Sequence, residues 1–477
     1  MLRPASPALL DSLQSLLGPR GFTCDAEALA PWLSDWRGRY RGRAAALLSP
    51  ASAAEVQAIV ERCIEARVAL VPQGGNTSMV GGATPDSGGG ALLLSLRRMN
   101  SVRSVSGEDN VAVAEAGVIL SDLHEAAAAA GRRFPLSLGA KGSATVGGLV
   151  STNAGGTQVL RFGPMRSLVA GLEAVLPDGS LFEGLSALRK DNRGYDLKQL
   201  LIGAEGTLGI VTAASLKLVA ASGSRSVAWV GLASPAAALT LLRRLEGRLG
   251  EAVESFELVP EDALALVLAG IAGTRPPLAG THRWNVLVET VASQGARDAS
   301  EALQEALAPA LEDGFAEDAM VAASGAQAAA LWRLRESIAE AERVQGPSVK
   351  HDVSVPVSAM PEFIEDARAA VEAGFEGARV VAFGHLGDGN VHFNVQPPAG
   401  TPPEAWLADR AGAVTRLVHD RVVEYGGSIS AEHGIGQMKL DELARTAGPA
   451  RLAALRAIKG ALDPAGIMNP GKLLPSL

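Results

Sequence analysis

The chain has 477 residues, 51 acidic against 43 basic for a net charge of −8, with 47% hydrophobic and 20% charged residues. This is longer than one ordinary core, too apolar for a disordered chain, and too acidic to favour nucleic-acid binding. Two cysteines, Cys24 and Cys63, exclude a disulfide framework or thiolate cluster and read as small packed residues. No apolar run reaches the roughly 18 residues of a membrane span, and the N-terminus, with Asp11, has no signal-peptide pattern, so a soluble cytoplasmic protein without an integral membrane segment is expected.

In chain order, Pro7–Leu17 predicts a helix and Trp32–Tyr40 a loop. Ser52 and Glu55 form a capping box for a helix from Ala53 to Ala66, with Val56, Ile59, Val60 and Cys63 at helical spacing. Val68–Pro72 predicts a buried strand that opens into Gln73-Gly74-Gly75-Asn76-Thr77-Ser78-Met79-Val80-Gly81-Gly82. A strand followed by a glycine loop is the layout of an anion cradle. Neither a G-x-G-x-x-G opening a helix nor a G-x-x-x-x-G-K-[ST] occurs, so the Rossmann and Walker-type readings fail. Two further loops rich in Gly, Ser, Thr and Asn run over Ser137–Gly156 and Gly203–Val211, with short strands predicted at Ala91–Leu94, Val111–Ala114, Gly171–Leu176 and Leu208–Leu218. Glycine weakens a fold unless the backbone must approach something closely. Three such loops in one α+β region therefore point to a long phosphate-bearing cofactor.

From about 222 to 425 the character changes. Helices are predicted at Pro235–Leu249, Ala296–Leu311, Ala326–Arg343, Pro361–Ala373 and Pro403–Tyr425, and strands at Val227–Val230, Trp284–Glu289, Ala378–Phe383 and Val391–Val395. The pattern predicts an antiparallel sheet covered on one face by helices. In Gly384–Asn394, Asp388-Gly389 is a two-residue hairpin signal that would pair Leu386 with Val391 and His385 with His392. Opposed residues have Cβ atoms roughly 4.5–5.5 Å apart. Two imidazoles there suit a divalent metal such as Zn²⁺, although a hairpin whose histidines only form hydrogen bonds is an equal reading. Glu432 and His433, in Ser428–Gly436, offer a third ligand and a neighbouring base. Asp463–Lys472 ends the pattern as a rigid loop.

These motifs, in this order along nearly the whole chain, resemble the FAD-linked oxidases of the vanillyl-alcohol oxidase/p-cresol methylhydroxylase superfamily, in the D-2-hydroxyacid dehydrogenase branch that includes the D-2-hydroxyglutarate dehydrogenases. The resemblance implies an α+β fold: a PCMH-type FAD-binding domain of two subdomains (residues 1–221), an antiparallel-sheet substrate or cap domain (222–425), and a C-terminal segment (426–477) that returns to the flavin. It implies FAD contacts from Pro72, Gln73, Gly74, Gly75, Asn76, Thr77, Ser78, Gly81 and Gly82 in the pyrophosphate loop. Further contacts would come from Pro135, Gly139, Gly142, Ser143, Thr145, Gly147, Gly148, Thr152, Asn153, Ala154 and Gly155, then from Glu205, Gly209, Ile210 and Asn469. His385, His392 and Glu432 would hold the metal, with Zn²⁺ first in line, and His433 would be the catalytic base. Arg335, Lys350 and Asn394 would bind the substrate.

Asn76 stands where covalently flavinylated relatives often place a histidine, so non-covalent FAD is expected. The reaction implied is hydride removal from a D-2-hydroxyacid to flavin N5, giving the 2-oxoacid, with the metal polarising the hydroxyl and His433 taking its proton. D-2-hydroxyglutarate is the leading substrate. Ala339, where the hydroxyglutarate enzymes tend to carry a hydroxyl residue, keeps D-lactate, glycolate, D-malate and bulkier D-hydroxyacids open. The electron acceptor is open between electron-transfer flavoprotein, a quinone and a cytochrome, and a homodimer is an option. Other classes are a zinc hydrolase built on the same histidines and a non-catalytic flavin-binding subunit.

Overall fold

The computed structural model describes residues 2–474, which form two compact units. The first takes the chain up to Gly155, then Gly163–Ala220, then from Glu432 onward; the second takes Gly156–Phe162 and Ala221–Ala431. The passages at 220/221 and 431/432 compare with the 221/222 and 425/426 divisions expected from sequence, and the short segment 156–162 groups with the second unit.

In the first unit, helix α1 (Pro7–Gly21) breaks at Gly18, whose φ is 63°. Strands β1 (Phe22–Thr23) and β2 (Ala46–Leu48) precede helix α2 (Ala53–Ala66), which leads to β3 (Leu70–Gln73) and β4 (Leu92–Ser95). Ser52 Oγ caps α2 by accepting from the Glu55 N–H at 3.2 Å, and Glu55 accepts in return from the Ala51 N–H at 2.7 Å. The buried stripe Val56, Ile59, Val60 and Cys63 packs on Leu48, Leu70, Leu92 and Leu94. The sheet order is β1-β2-β4-β3, with β2, β4 and β3 parallel. A second sheet is antiparallel throughout, in the order β5-β6-β9-β7-β8: β5 is Val102–Ser106, β6 Val111–Glu115, β7 Val169–Val175, β8 Leu181–Gly184 and β9 Ile210–Lys217. Helix α3 (Val146–Thr152) follows β6. Cys63 is buried as expected, whereas Cys24 is exposed.

The second unit is built on one seven-stranded antiparallel sheet. In chain order it contains β10 (Ser222–Leu232), α4 (Pro235–Leu249), β11 (Val253–Pro260), α5 (Glu261–Gly270), β12 (Trp284–Ser293), α6 (Ala299–Glu312), β13 (Asp318–Val321), α7 (Gly325–Glu336) and α8 (Ile338–Val344). Then come β14 (Val349–Ser354), α9 (Met360–Gly374), β15 (Arg379–His385), β16 (Asn390–Gln396) and α10 (Pro403–Glu424). The strand order is β13-β10-β12-β11-β15-β16-β14. Alternate residues of the central strands are apolar on both sides, so both faces need cover. Ala228, Val230, Phe256, Val286 and Phe393 pack under α4, α6, α9 and α10. Val227, Trp229, Leu287, Val381 and Phe383 pack under α5, α7 and α8. The expected one-sided cover is therefore corrected to a two-sided one. The single helix expected over 326–343 is two helices that meet at Ser337.

The hairpin register also differs from expectation. His385 pairs with Asn390, Gly384 with Val391 and Phe383 with His392, which leaves a four-residue loop, 386–389. A type I′ turn would need positive φ at both Asp388 and Gly389; only Gly389 has it, at 80°. The loop is set instead by the Gly389 and Asp388 N–H groups, which donate to the His385 carbonyl at 3.1 and 3.3 Å, and by Leu386 N–H donating to the Phe256 carbonyl at 3.1 Å. A shift of two positions preserves the strand period, so His385 and His392 still share one face.

Candidate active site

In the first unit, the glycine loops border a cleft. Of the residues expected at the cofactor, Pro72, Gln73, Gly74, Ser78, Gly82, Thr145, Gly147, Gly148, Thr152, Glu205, Gly209 and Ile210 line it, and His433 joins them. Leu96 and Ala116, which lie outside the glycine loops read from the sequence, give the same cleft part of its wall. Gly75, Asn76, Thr77, Gly81, Pro135, Gly139, Gly142, Ser143, Asn153, Ala154, Gly155 and Asn469 stand outside that lining.

The glycines divide into two kinds. A Cβ on Gly75 would lie 1.9 Å from the Ser143 carbonyl oxygen, one on Gly74 2.5 Å from Thr145 Oγ1, and one on Gly206 2.3 Å from Pro72. Those three let protein loops pack on one another. Gly139 and Gly142 have no neighbour within 4 Å of a built Cβ, so their smallness answers to no neighbouring protein atom. The backbone N–H groups of Gly75, Asn76, Thr77 and Ser78 make no hydrogen bond among the described residues. An open row of N–H donors beside a cleft fits a pyrophosphate. Asn76 takes a φ of 53° and its Nδ2 donates to the Ser34 carbonyl at 2.9 Å.

Two expected cofactor residues tie this unit together. Glu205 is buried, and its carboxylate accepts from the Ile435 and Gly436 N–H groups, both at 2.7 Å. Burial pushes its carboxyl up, against the pull of those N–H groups and of Lys439 and Lys472. Asn469 Nδ2 donates to the Glu205 carbonyl at 2.7 Å and the Gly82 carbonyl at 3.0 Å. Asn153 caps α3 in the left-handed region and accepts from the Arg166 N–H at 2.9 Å.

In the second unit, a polar cluster occupies one end of the sheet face covered by α7 and α8. His385 and His392 stand edge to face, ring centroids 5.4 Å apart. Glu257, on β11 directly opposite His385, is fully buried; its Oε1 lies 2.7 Å from His385 Nδ1 and its Oε2 2.8 Å from the Arg335 guanidinium. Burial pushes Glu257 up, but His385 and Arg335 beside it outweigh burial and hold its carboxyl below the usual range. Arg335 also stacks over Phe383, whose ring lies 5.1 Å from that of His392. Asp352 pairs across the strands with His392, its Oδ1 3.8 Å from Nδ1, and accepts from Asn390 Nδ2 at 2.9 Å. Lys350 is the cross-strand partner of Asn394. Both donate to Glu342 Oε2 on α8, at 3.2 and 2.7 Å. Ala339 lies exposed in the first turn of α8.

This unit thus brings together His385, His392, Arg335, Lys350 and Asn394, and adds two carboxylates, Glu257 and Glu342, that sequence reasoning missed. Imidazoles backed by a buried carboxylate are the donor chemistry of a divalent-cation site, so the residues fit the expected metal. Glu432 and His433 follow Ala431, where the chain leaves this unit; the Ala431 N–H donates to the Asp352 carbonyl at 3.2 Å.

Comparison with known proteins decides the family. The model for the FAD binding domain matches residues 44–184, and that for the C-terminal domain of FAD linked oxidases matches 222–473. The chain belongs to the FAD-linked oxidase family. It is 38% identical over 463 residues to the mitochondrial D-2-hydroxyglutarate dehydrogenase of Arabidopsis thaliana, covering 97% of this chain and 80% of that one. It is 39% identical over 439 residues to the D-2-hydroxyglutarate dehydrogenase of Xanthomonas citri pv. viticola, covering 92% and 91%. The fold matches crystalline p-cresol methylhydroxylase with a TM-score of 0.74 at 16% identity, over 98% of this chain and 96% of that one. An alkyldihydroxyacetonephosphate synthase structure gives 0.71 at 17%, over 98% and 87%. As an FAD-linked oxidase, the protein is an FAD-dependent oxidoreductase, which sets the hydrolase alternative aside. Among the described residues no helix is long and apolar enough to cross a membrane.

Proposed function

We propose that this FAD-linked oxidase is a dehydrogenase of D-2-hydroxyacids assisted by a divalent cation. The observation that carries the reading is the edge-on pair of His385 and His392 with Glu257 behind it, Lys350 and Asn394 on the same sheet face, and Arg335 of α7 paired with Glu257. Glu257 takes His385 Nδ1, so Nε2 is the nitrogen the ring would offer an ion. His385, His392 and Glu432 would hold that ion, Zn²⁺ being the first choice for two imidazoles and a carboxylate. The cation would supply Lewis-acid polarisation of the substrate hydroxyl.

His433 is the proposed base. An imidazole titrates in the range useful for accepting the hydroxyl proton, and His433 lines the cofactor cleft. Bound FAD supplies the two-electron redox chemistry, and Asn76 offers no ring nitrogen for a covalent link, so the cofactor is held non-covalently. Arg335 and Lys350 present a fork and a point charge to carboxylate oxygens, and Asn394 adds an amide donor. The relatives' names make D-2-hydroxyglutarate the first compound to test. An external electron acceptor completes turnover, with electron-transfer flavoprotein a candidate.

The test is anaerobic mixing of the yellow holoprotein with single D- and L-hydroxyacids while flavin absorbance is followed. D-2-hydroxyacids should bleach the flavin and their L-enantiomers should not. A flavin left oxidised by every D-hydroxyacid, or bleached equally by both enantiomers, overturns the reading.

A further inference from the structure

Both cations that would meet substrate carboxylates already face buried carboxylates of the protein. Arg335 is held by Glu257 at 2.8 Å and Lys350 by Glu342 at 3.2 Å. Glu257 has an evident second task in orienting His385. Glu342 has none of that kind. It projects from α8 onto the strand pair that carries Lys350 and Asn394 and takes one donor from each on a single oxygen, Oε2. The residue is 1% exposed, and its other oxygen, Oε1, is buried with no hydrogen-bond partner among the described residues. A buried acceptor without a donor is unfavourable, so a ligand that brings an N–H or O–H is favoured there. A second carboxylate brings neither, and it meets a like charge with Lys350 already neutralised. Ala339, one turn before Glu342 on the same helix, supplies no donor in compensation.

We propose that Glu342 is a specificity-determining residue that turns the distal end of the hydroxyacid site away from a second carboxylate and toward an uncharged, hydrogen-bond-donating group. The proposal rests on the reading of the protein as a D-2-hydroxyacid dehydrogenase. The substrate class it names is a D-2-hydroxyacid whose side chain ends in an amide, hydroxyl or similar donor. Lys350 and Asn394 then act through the Glu342 carboxylate they hold, which narrows the carboxylate-binding role to Arg335, whose Nε is buried with no hydrogen-bond partner among the described residues and stays available to the single substrate carboxylate.

The experiment compares matched pairs on the holoenzyme with a dye acceptor: D-2-hydroxyglutarate against its distal carboxamide, and D-malate against its distal carboxamide, with D-lactate alongside. The wild-type protein should favour each amide over its diacid by about tenfold or more in kcat/KM, chiefly through KM, because a like charge set against a buried carboxylate discriminates strongly. Glu342→Gln keeps the shape and removes the charge; it should shrink that ratio by about tenfold while the flavin content stays the same. A wild-type preference for either diacid, reduction by D-lactate alone, or a ratio that Glu342→Gln leaves unmoved each overturns the proposal. If the variant fails to fold, the wild-type ratio decides by itself. If no compound of the panel reduces the flavin, it is the dehydrogenase reading that fails, and the result is distinct from any shift in ratio.

Discussion

The two halves of the chemistry are made from different materials. The cofactor cleft of the first unit is largely backbone: exposed N–H groups over Gly75–Ser78, glycines packed against Ser143 and Thr145, and few charged side chains in its wall. The polar end of the second unit's sheet is almost entirely side chain, with Glu257, Arg335, Glu342, Lys350, Asp352, His385, His392 and Asn394 contributed by six separate elements. A backbone cradle recognises phosphates that every FAD carries, so it has no need to vary with substrate. A side-chain cluster can be retuned by one substitution, and substrate choice resides there.

Four substitutions would break or sharpen that contrast. His433→Ala removes the proposed base and should cost about 10²–10⁴-fold in kcat while FAD stays bound; steady-state turnover beside the flavin spectrum checks it, and near-normal turnover removes His433 from the mechanism. Glu257→Gln strips a buried charge from both His385 and Arg335. Metal affinity should fall about 10–100-fold, with stability reduced by about 3–5 kcal/mol as for other broken buried pairs. Metal analysis after dialysis and denaturant unfolding read the two effects. An unchanged metal content would show that His385 needs no partner. Gly75→Ala should lower stability by about 1–3 kcal/mol and release flavin, because its methyl would strike the Ser143 carbonyl. Gly142→Ala meets nothing in the protein and should leave the melting temperature alone; flavin-to-protein ratios across the pair separate glycines needed by the loops from glycines kept small for the cofactor.

Legibility in the sequence follows the same division. The cofactor loops could be read because their signal is local: a strand, then glycines, within ten residues. The helix at Ala53–Ala66 and its cap could be read for the same reason. The strand Val253–Pro260 could not. It carries Glu254, Ser255 and Glu257 among apolar residues, and charged residues in a strand signal an exposed edge rather than the centre of a sheet. Both are fully buried, Glu254 against Arg161 and Glu257 against Arg335 and His385. Their partners lie between 78 and 128 residues away, a relation that no local pattern carries. For the hairpin, the shared face of His385 and His392 is legible but the turn is not, since Asp-Gly signals a tight loop and the Leu386–Phe256 bond to the neighbouring strand goes with a wider one. Glu342 falls inside the single helix that the sequence predicts over 326–343, and only the break between α7 and α8 at Ser337 sets it over β14 and β16.

The clasp between Glu205 and the amides of Ile435 and Gly436 bears on how the protein is made. Its partners are 230 and 231 positions apart, and the larger segment of the second unit, Ala221–Ala431, is translated between them. The cradle for the coenzyme therefore cannot close on a nascent chain until the intervening body has emerged from the ribosome. Loading of flavin is then a late step in biogenesis, and destabilising changes anywhere in residues 221–431 would lower the yield of coloured protein even where they touch neither coenzyme nor substrate.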